Sequence, residues 1–183
     1  MPTESLLRPS TIWTLAVTTL GVILMSAAAA RAQDMRVDRL EIVEAGFYDN
    51  KAVTVTGTSQ VGGTVTGTVD ELAEVRIMAQ PPAQTARVGI GFGVRFRSFG
   101  ERNGERAILR SVWQIPAPGI VNPTTHTTYR ESTAEFTTRI GTSHWRGYAF
   151  DEAWEVVPGT WTLEIWQGDR RLLEKSFEMK KGE

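Results

Sequence analysis

Three carboxylates surround a tryptophan late in the chain: Asp151, Glu152 and Glu155 beside Trp154. Two carboxylates held several ångströms apart across a cleft are typical of acid–base hydrolysis of a polymer. Asp151 and Glu155 therefore form one candidate catalytic pair. The alternative is structural: Asp151 begins a turn and Trp154 closes one end of a β-sandwich. The structural interpretation is favoured because Trp in small sandwiches is mostly buried.

Metal-binding and nucleophilic residues are sparse. The chain has no cysteine and two histidines, His126 and His144, which match no metal-ligand spacing. We expect both histidines in solvated loops, and we predict no metal site, catalytic residue or cofactor. Ser143, His144 and Asp151 make a poor triad, because adjacent residues of a strand point to opposite faces.

Aromatic residues are concentrated between positions 145 and 166. They are Trp145, Tyr148, Phe150, Trp154, Trp161 and Trp166. Trp161 alternates in register with Leu163 and Ile165, which predicts that it lies in the core. Trp166 is out of that register, so it is predicted to face outward.

An outward tryptophan is a candidate binding residue. If Arg95 or Arg97 lies nearby, Trp166 can bind a sugar ring, a peptide strand or a partner domain. The alternative is a surface tryptophan covered by the stems of basic side chains. The candidate binding residues are therefore Trp166, Arg95, Arg97 and Trp154.

The first 32 residues have the order of a secretory signal peptide. Arg8 precedes an apolar stretch over residues 11–30, and the small residues Ala30 and Ala32 then precede Gln33. We predict cleavage after Ala32 and a periplasmic or secreted location, with no stable membrane insertion afterwards. The alternative is a retained membrane anchor, because the apolar stretch is nearly long enough to span a bilayer.

Cleavage would leave residues 33–183 as a single domain. Removing Arg8, Arg31 and Glu4 leaves 18 basic and 20 acidic residues of the 20 and 21 in the whole chain. This near-neutral balance argues against a nucleic-acid partner, which requires a concentrated basic face.

The clearest strand pattern runs from Val88 to Ser98. One face carries Val88, Ile90, Phe92, Val94 and Phe96, and the other carries Gly89, Gly91, Gly93, Arg95 and Arg97. An apolar face of this kind must be buried, so the segment is predicted to be a core strand. The glycines leave room for a ring or another backbone. No helix follows them, so they do not form a dinucleotide-binding loop.

Other segments repeat the same alternation between turn residues. We expect a hairpin partner through Leu109 to Ile115, a Thr-rich edge strand over 129–140 and a short strand at 75–77. Hairpins are also expected from the Thr-Val-Thr-Gly-Thr copies at 54–58 and 64–68, and from residues 160–166 with 171–179. About eight such strands predict an immunoglobulin-like antiparallel β-sandwich, with a small β-barrel as the alternative.

Several short blocks are similar to a known family. They are Glu44–Tyr48, Gly91–Phe96, Pro116–Pro123, Tyr148–Glu155, Val157–Trp161 and Phe177. In order and spacing they resemble a family of exported bacterial proteins catalogued as domain of unknown function 3859, over residues 38–180. The resemblance implies the fold and export but no functional residue, and the Thr-rich segment 51–70 departs from it.

Two functions remain open at this stage. The first is a non-enzymatic binding or interaction module of the bacterial cell envelope, with a protein or a glycan as partner. The second is a hydrolase of a cell-wall or exported polymer that uses Asp151 and Glu155.

Overall fold

The computed structural model describes residues 35–78 and 81–182. These described residues belong to one compact unit. The predicted signal peptide over residues 1–32 and its cleavage residues Ala30, Ala32 and Gln33 lie outside the described residues.

Strands make up most of the described chain. In order they are β1 (Arg39–Asp49), β2 (Val55–Gln60), β3 (Thr68–Leu72), β4 (Ala83–Thr85), β5 (Ile90–Phe99), β6 (Arg106–Gln114), β7 (Ile120–Val121), β8 (Thr128–Tyr129), β9 (Glu131–Arg139), β10 (Ser143–Ala149), β11 (Gly159–Gln167) and β12 (Arg170–Lys180). Two short 3-10 turns occur at Asn50–Ala52 and Ala153–Glu155. In the described part of the chain, no helix is long and apolar enough to cross a membrane.

Eight of these strands form the two layers of a sandwich. One sheet has the order β1-β5-β10, and the other has the order β4-β12-β11-β6-β9. Every pair is antiparallel except β4 with β12. The predicted all-β immunoglobulin-like sandwich is confirmed, and the β-barrel alternative is wrong because the sheets stay separate. Two further pairs, β2-β3 and β7-β8, lie outside the two layers.

The predicted core strand is β5. Phe92 is fully buried and its ring lies 5.3 Å from Trp113, 5.5 Å from Trp161 and 5.4 Å from Phe177. These three partners belong to the other sheet, so the apolar face of β5 packs across the sandwich. Val88, which was included in the pattern, is instead exposed and precedes the strand.

The opposite face of β5 carries two glycines at sites of close approach. The ring of Tyr48 lies directly over Gly91. A Cβ at Gly93 would come 2.8 Å from the Trp145 ring and 2.6 Å from the Cα of Gly147. The predicted contact of a ring and a backbone with this glycine face is confirmed, and it lets the β1 and β10 neighbours pack closely.

Two local predictions are wrong. Strand β6 does not form a hairpin with β5, because it pairs with β9 and β11 in the other sheet. The turn after β5 therefore crosses between layers, which an alternating pattern does not reveal. Residues 75–77 form no strand. Val75 is nevertheless buried, and its carbonyl oxygen accepts a hydrogen bond from Arg95 at 3.1 Å.

The predicted final hairpin and the predicted Thr-rich strand are confirmed. Strands β11 and β12 pair antiparallel, with Trp161 opposite Phe177 and both buried. Trp166 is partly exposed beyond a register shift that follows Ile165. Strands β2 and β3 also form a hairpin, but its turn spans residues 61–67, so the second Thr-Val-Thr-Gly-Thr copy at 64–68 lies mostly in the turn and does not pair with the first. The Thr-rich strand is confirmed as β9, at the edge of the five-stranded sheet.

Candidate functional site

The β2-β3 hairpin lies beside the edges of both sheets and is fixed to the sandwich at two points. At its tip, the Thr133 amide donates to the Gly63 carbonyl at 2.9 Å, and Asn122 Nδ2 donates to the Val65 carbonyl at 2.9 Å. After the hairpin, the guanidinium of Arg95 donates a hydrogen bond to the Val75 carbonyl at 3.1 Å. These contacts keep the hairpin in place because its tip and its exit are bound to different sheets.

A cavity of about 730 Å³ lies between this hairpin and strands β9 and β10. Its size is that of an ordinary ligand site. Its aromatic lining residues are Tyr48, Trp113, Phe136, Trp145 and Tyr148, and its hydroxyl-bearing residues include Thr56, Ser59, Thr66, Thr68, Ser111, Ser132 and Ser143. Apolar rings combined with many short polar groups suit a ligand that has both apolar surface and hydrogen-bonding groups.

Arg146 is the most unusual side chain of the cavity. Its guanidinium lies 3.8 Å from the centre of the Phe136 ring, and its Nε is buried without a hydrogen-bond partner. Burial lowers the pKa of Arg146 to about 10, and the nearby charge of Glu71 acts in the opposite direction. The indole Nε1 of Trp145 is also buried without a partner. Both nitrogens are thus buried in the walls of the cavity without acceptors, at a cost in free energy that the rest of the fold must offset.

His144 lies in strand β10 and not in a solvated loop as predicted. Its ring stacks on Phe136 at 5.2 Å, because the alternation of β10 turns it toward the inner face. Burial, and then the charge of Arg146, lower the pKa of His144 to about 4. His126 is exposed in a loop, as predicted. Among the described residues, no group of three or more His, Cys, Asp or Glu is placed to hold a metal ion.

Replacing His144 by glutamine should remove part of the acid sensitivity of the fold. The folded pKa of about 4 lies below the ordinary value of 6.5, so the unfolded chain binds the extra proton between these pH values. Stability should therefore fall as the pH drops from about 6.5 to 4, by up to about 1.4 kcal/mol per pH unit. Urea denaturation at several pH values should show that the free energy of unfolding falls less steeply with decreasing pH in His144→Gln than in the wild type. An equal pH dependence in the two proteins would contradict a lowered pKa for His144.

The acidic turn is built around Glu155, which is only 2% exposed. Its Oε2 accepts the amides of Asp151 and Glu152, both at 2.9 Å, and its Oε1 accepts the hydroxyl of Tyr148 at 3.3 Å. Burial raises the pKa of Glu155 despite these hydrogen bonds. Asp151 accepts a hydrogen bond from Asn50 at 2.6 Å, and burial followed by the charge of Asp70 raises its pKa.

This geometry agrees with the structural interpretation of the turn. Glu155 holds together the 3-10 turn that follows Asp151, and Trp154 packs against the core. Asp151 and Glu155 both line the cavity, but both oxygens of Glu155 are engaged within the protein. A catalytic carboxylate needs an oxygen that is free to reach substrate.

Trp166 is a separate feature on the five-stranded sheet. The guanidinium carbons of Arg110 and Arg171 lie 5.7 Å and 5.9 Å from its ring centre. Its Nε1 donates to Glu164 at 3.0 Å. Trp166 therefore has basic side chains beside it, as in the alternative interpretation of a covered surface tryptophan.

The two arginines among the candidate binding residues are not beside Trp166. Arg95 and Arg97 lie on β5, in the three-stranded sheet, and the structure does not bring them to Trp166. Arg95 lies 5.7 Å from the Trp145 ring and lines the cavity, whereas Arg97 is exposed and donates to the Gly141 carbonyl at 3.1 Å. Sequence reasoning predicted the Thr-rich hairpin but assigned neither the hairpin nor Arg146 to a candidate site. The signal that could have indicated Arg146 was its position next to Trp145 in a short segment rich in aromatic residues.

Comparison with protein families gives a match over residues 63–179, to the model described as a domain of unknown function, DUF3859. The chain belongs to the DUF3859 family. The matched region begins at the tip of the β2-β3 hairpin and contains β3, β9 and β10. The block at Glu44–Tyr48 lies before it. The predicted family is confirmed.

Comparison with solved structures agrees with the fold of this DUF3859 chain. The crystal structure of an immunoglobulin-like protein from Pseudomonas aeruginosa is similar, with a TM-score of 0.51 and 25% sequence identity. The alignment covers 82% of this chain and 99% of that one. No curated protein matches the sequence. The comparisons therefore support the immunoglobulin-like architecture.

Proposed function

We propose that this DUF3859 protein is a non-enzymatic binding module of the bacterial cell envelope and that its ligand occupies the cavity under the β2-β3 hairpin. The observation that carries the proposal is the cavity itself, whose lining combines aromatic rings with short hydroxyl side chains. Such a lining suits a ligand that presents both apolar surface and hydrogen-bonding groups.

The same cavity is poorly equipped for hydrolysis. Glu155 is committed to the amides of its own turn, and Asp151 is held by Asn50. The hydrolase alternative would require at least one of them to be released toward substrate.

Binding can be tested by calorimetry on the purified protein with panels of cell-wall glycan fragments and of short peptides. Ala134→Trp should fill the cavity, because Ala134 is a small residue of its lining. Val121→Trp is the matched control, since Val121 is exposed on β7 outside the lining. We expect at least one class of ligand to bind the wild type and the control, to bind Ala134→Trp at least tenfold more weakly, and to be recovered intact.

Two results would contradict this proposal. Absence of binding from both panels would remove the ligand-binding role. Cleavage of a panel polymer that is lost in Asp151→Asn and Glu155→Gln would instead favour the hydrolase.

Export is part of the proposal and rests on the secretion pattern of residues 1–32. Mass spectrometry of the protein recovered from its native cells should find an N-terminus at Gln33 or within a few residues of it. Recovery of intact Met1 in the membrane fraction would show a retained anchor instead.

A further inference from the structure

Strand β10 contributes to the cavity in an unusual way. All seven of its residues, Ser143–Ala149, line the cavity. Side chains of a strand alternate between two faces, so a cavity against one face would meet only every second residue. The cavity must therefore run along the edge of β10, where both faces and the backbone are accessible.

This edge is open. Among the described strands, β10 is the last of its sheet and pairs only with β5. In the described part of the chain, no hydrogen bond joins the backbone of residues 143–149 to any segment other than β5. Backbone N–H and C=O groups on the outer side of β10 are thus available to a new strand.

The opposite wall is also a strand edge. All five residues of β3, Thr68–Leu72, line the cavity, and of the strands that the structure describes β3 pairs with β2 alone. The charge of Glu71 on β3 acts on the guanidinium of Arg146 on β10, but the two form no ion pair in the described structure. The two edges thus face the same space without closing it.

We propose that the cavity binds an extended segment of a separate polypeptide, which adds as a strand to β10 and has β3 on its other side. This inference rests on the proposed function and names its ligand class. A row of backbone donors and acceptors at strand spacing is matched by another extended backbone and not by the irregular hydroxyls of a glycan. With β10 seven residues long, the bound segment would span about seven residues.

The two faces of such a strand would meet different surroundings. On the inner side its side chains would approach Phe136, Trp113 and Tyr148, and on the outer side they would approach Trp145. The lining contains more acidic than basic side chains: Asp70, Glu71, Glu135, Asp151 and Glu155 against Arg95 and Arg146. The preferred segment is therefore neutral or basic and not acidic, with apolar side chains at alternate positions.

The test uses a phage-displayed library of random twelve-residue peptides, followed by synthesis of the selected sequences. Two derivatives of each binder carry N-methyl groups at alternate residues, one on the odd and one on the even positions. Because successive amides of a strand point to opposite sides, one derivative blocks pairing with β10 and the other blocks pairing with β3. We expect both derivatives to bind at least tenfold more weakly than the parent, and hydrogen exchange at residues 143–149 to slow when the parent peptide binds.

A matched pair of protein variants separates this site from the rest of the surface. Arg146→Met keeps an unbranched side chain over Phe136 but removes its N–H donors, and Arg171→Met does the same beside Trp166 on the other sheet. Peptide affinity should fall at least fivefold in Arg146→Met and stay unchanged in Arg171→Met.

Other outcomes overturn the inference. A glycan that binds the wild type but not Ala134→Trp, while no peptide is selected, would refute the peptide ligand and leave the proposed function standing. Peptides that tolerate both N-methyl patterns would refute strand addition. Self-association that Ala134→Trp abolishes would assign the open edge to a second copy of the chain. Failure of all ligands would refute the binding function as well.

Discussion

Replacing Phe92 by alanine should lower the free energy of unfolding by about 3–5 kcal/mol. The side chain is fully buried, and its ring lies within 5.5 Å of Trp113, Trp161 and Phe177 from the opposite sheet. The substitution leaves a cavity where the two layers meet, and the β-sheet backbone on both sides limits its collapse. Urea denaturation measures the change directly.

Arg97 is the matched control for Phe92 on the same strand. It points to the outer face, where it is exposed and donates to the Gly141 carbonyl at 3.1 Å. Arg97→Ala should cost less than about 1 kcal/mol. Similar losses of unfolding free energy in the two variants would mean that the inner and outer faces of β5 have been assigned wrongly.

Replacing Trp161 by alanine should destabilise the protein by about 3–5 kcal/mol, toward the upper end of that range. Trp161 is fully buried and packs against Tyr148 at 4.7 Å and Phe92 at 5.5 Å. Its Nε1 also donates to the Val157 carbonyl at 2.8 Å, so the substitution leaves a buried acceptor without its partner. Thermal and urea unfolding should both show the loss.

Trp166, five residues later on the same strand, is the matched control. It lies on the outer side between Arg110 and Arg171. Trp166→Ala should change the unfolding free energy by about 1 kcal/mol or less. An unfolded Trp166→Ala protein would place this residue in the core and contradict the strand register. The same variant tests the prediction that Trp166 is a binding residue. If Trp166→Ala binds a ligand found by calorimetry more weakly than the wild type does, Trp166 belongs to a binding surface.

The proposed strand addition follows from the properties of edge strands in a β-sandwich. An open sheet edge exposes unpaired backbone groups, and many proteins cover or charge such edges to prevent association. Here a hairpin is placed opposite the edge of β10 and leaves a cavity of about 730 Å³ between them. The hairpin blocks edge-to-edge association with other folded proteins, but the cavity leaves room for a single extended strand. The edge can therefore bind one peptide without promoting aggregation.

Much of the fold could be predicted from the sequence because the alternation of side chains is local. Phe92 and Phe96 share a face with period two, and Trp161 shares one with Leu163 and Ile165. This alternation determines which residues must be buried, whichever strands become neighbours. The glycines at 91 and 93 likewise required a close approach on the other face, which Tyr48 and Trp145 provide.

Only the tertiary structure decided which strands are neighbours and what their edges enclose. The sequence could not show that the turn after β5 changes sheets, that Arg95 and Trp166 lie on different layers, or that His144 stacks on Phe136. Nor could it show that β10 and β3 face one cavity. Alternation specifies the face of a residue but not its partner strand. Partners are chosen by the packing of distant segments, whose free energy depends on the whole core and not on local pattern.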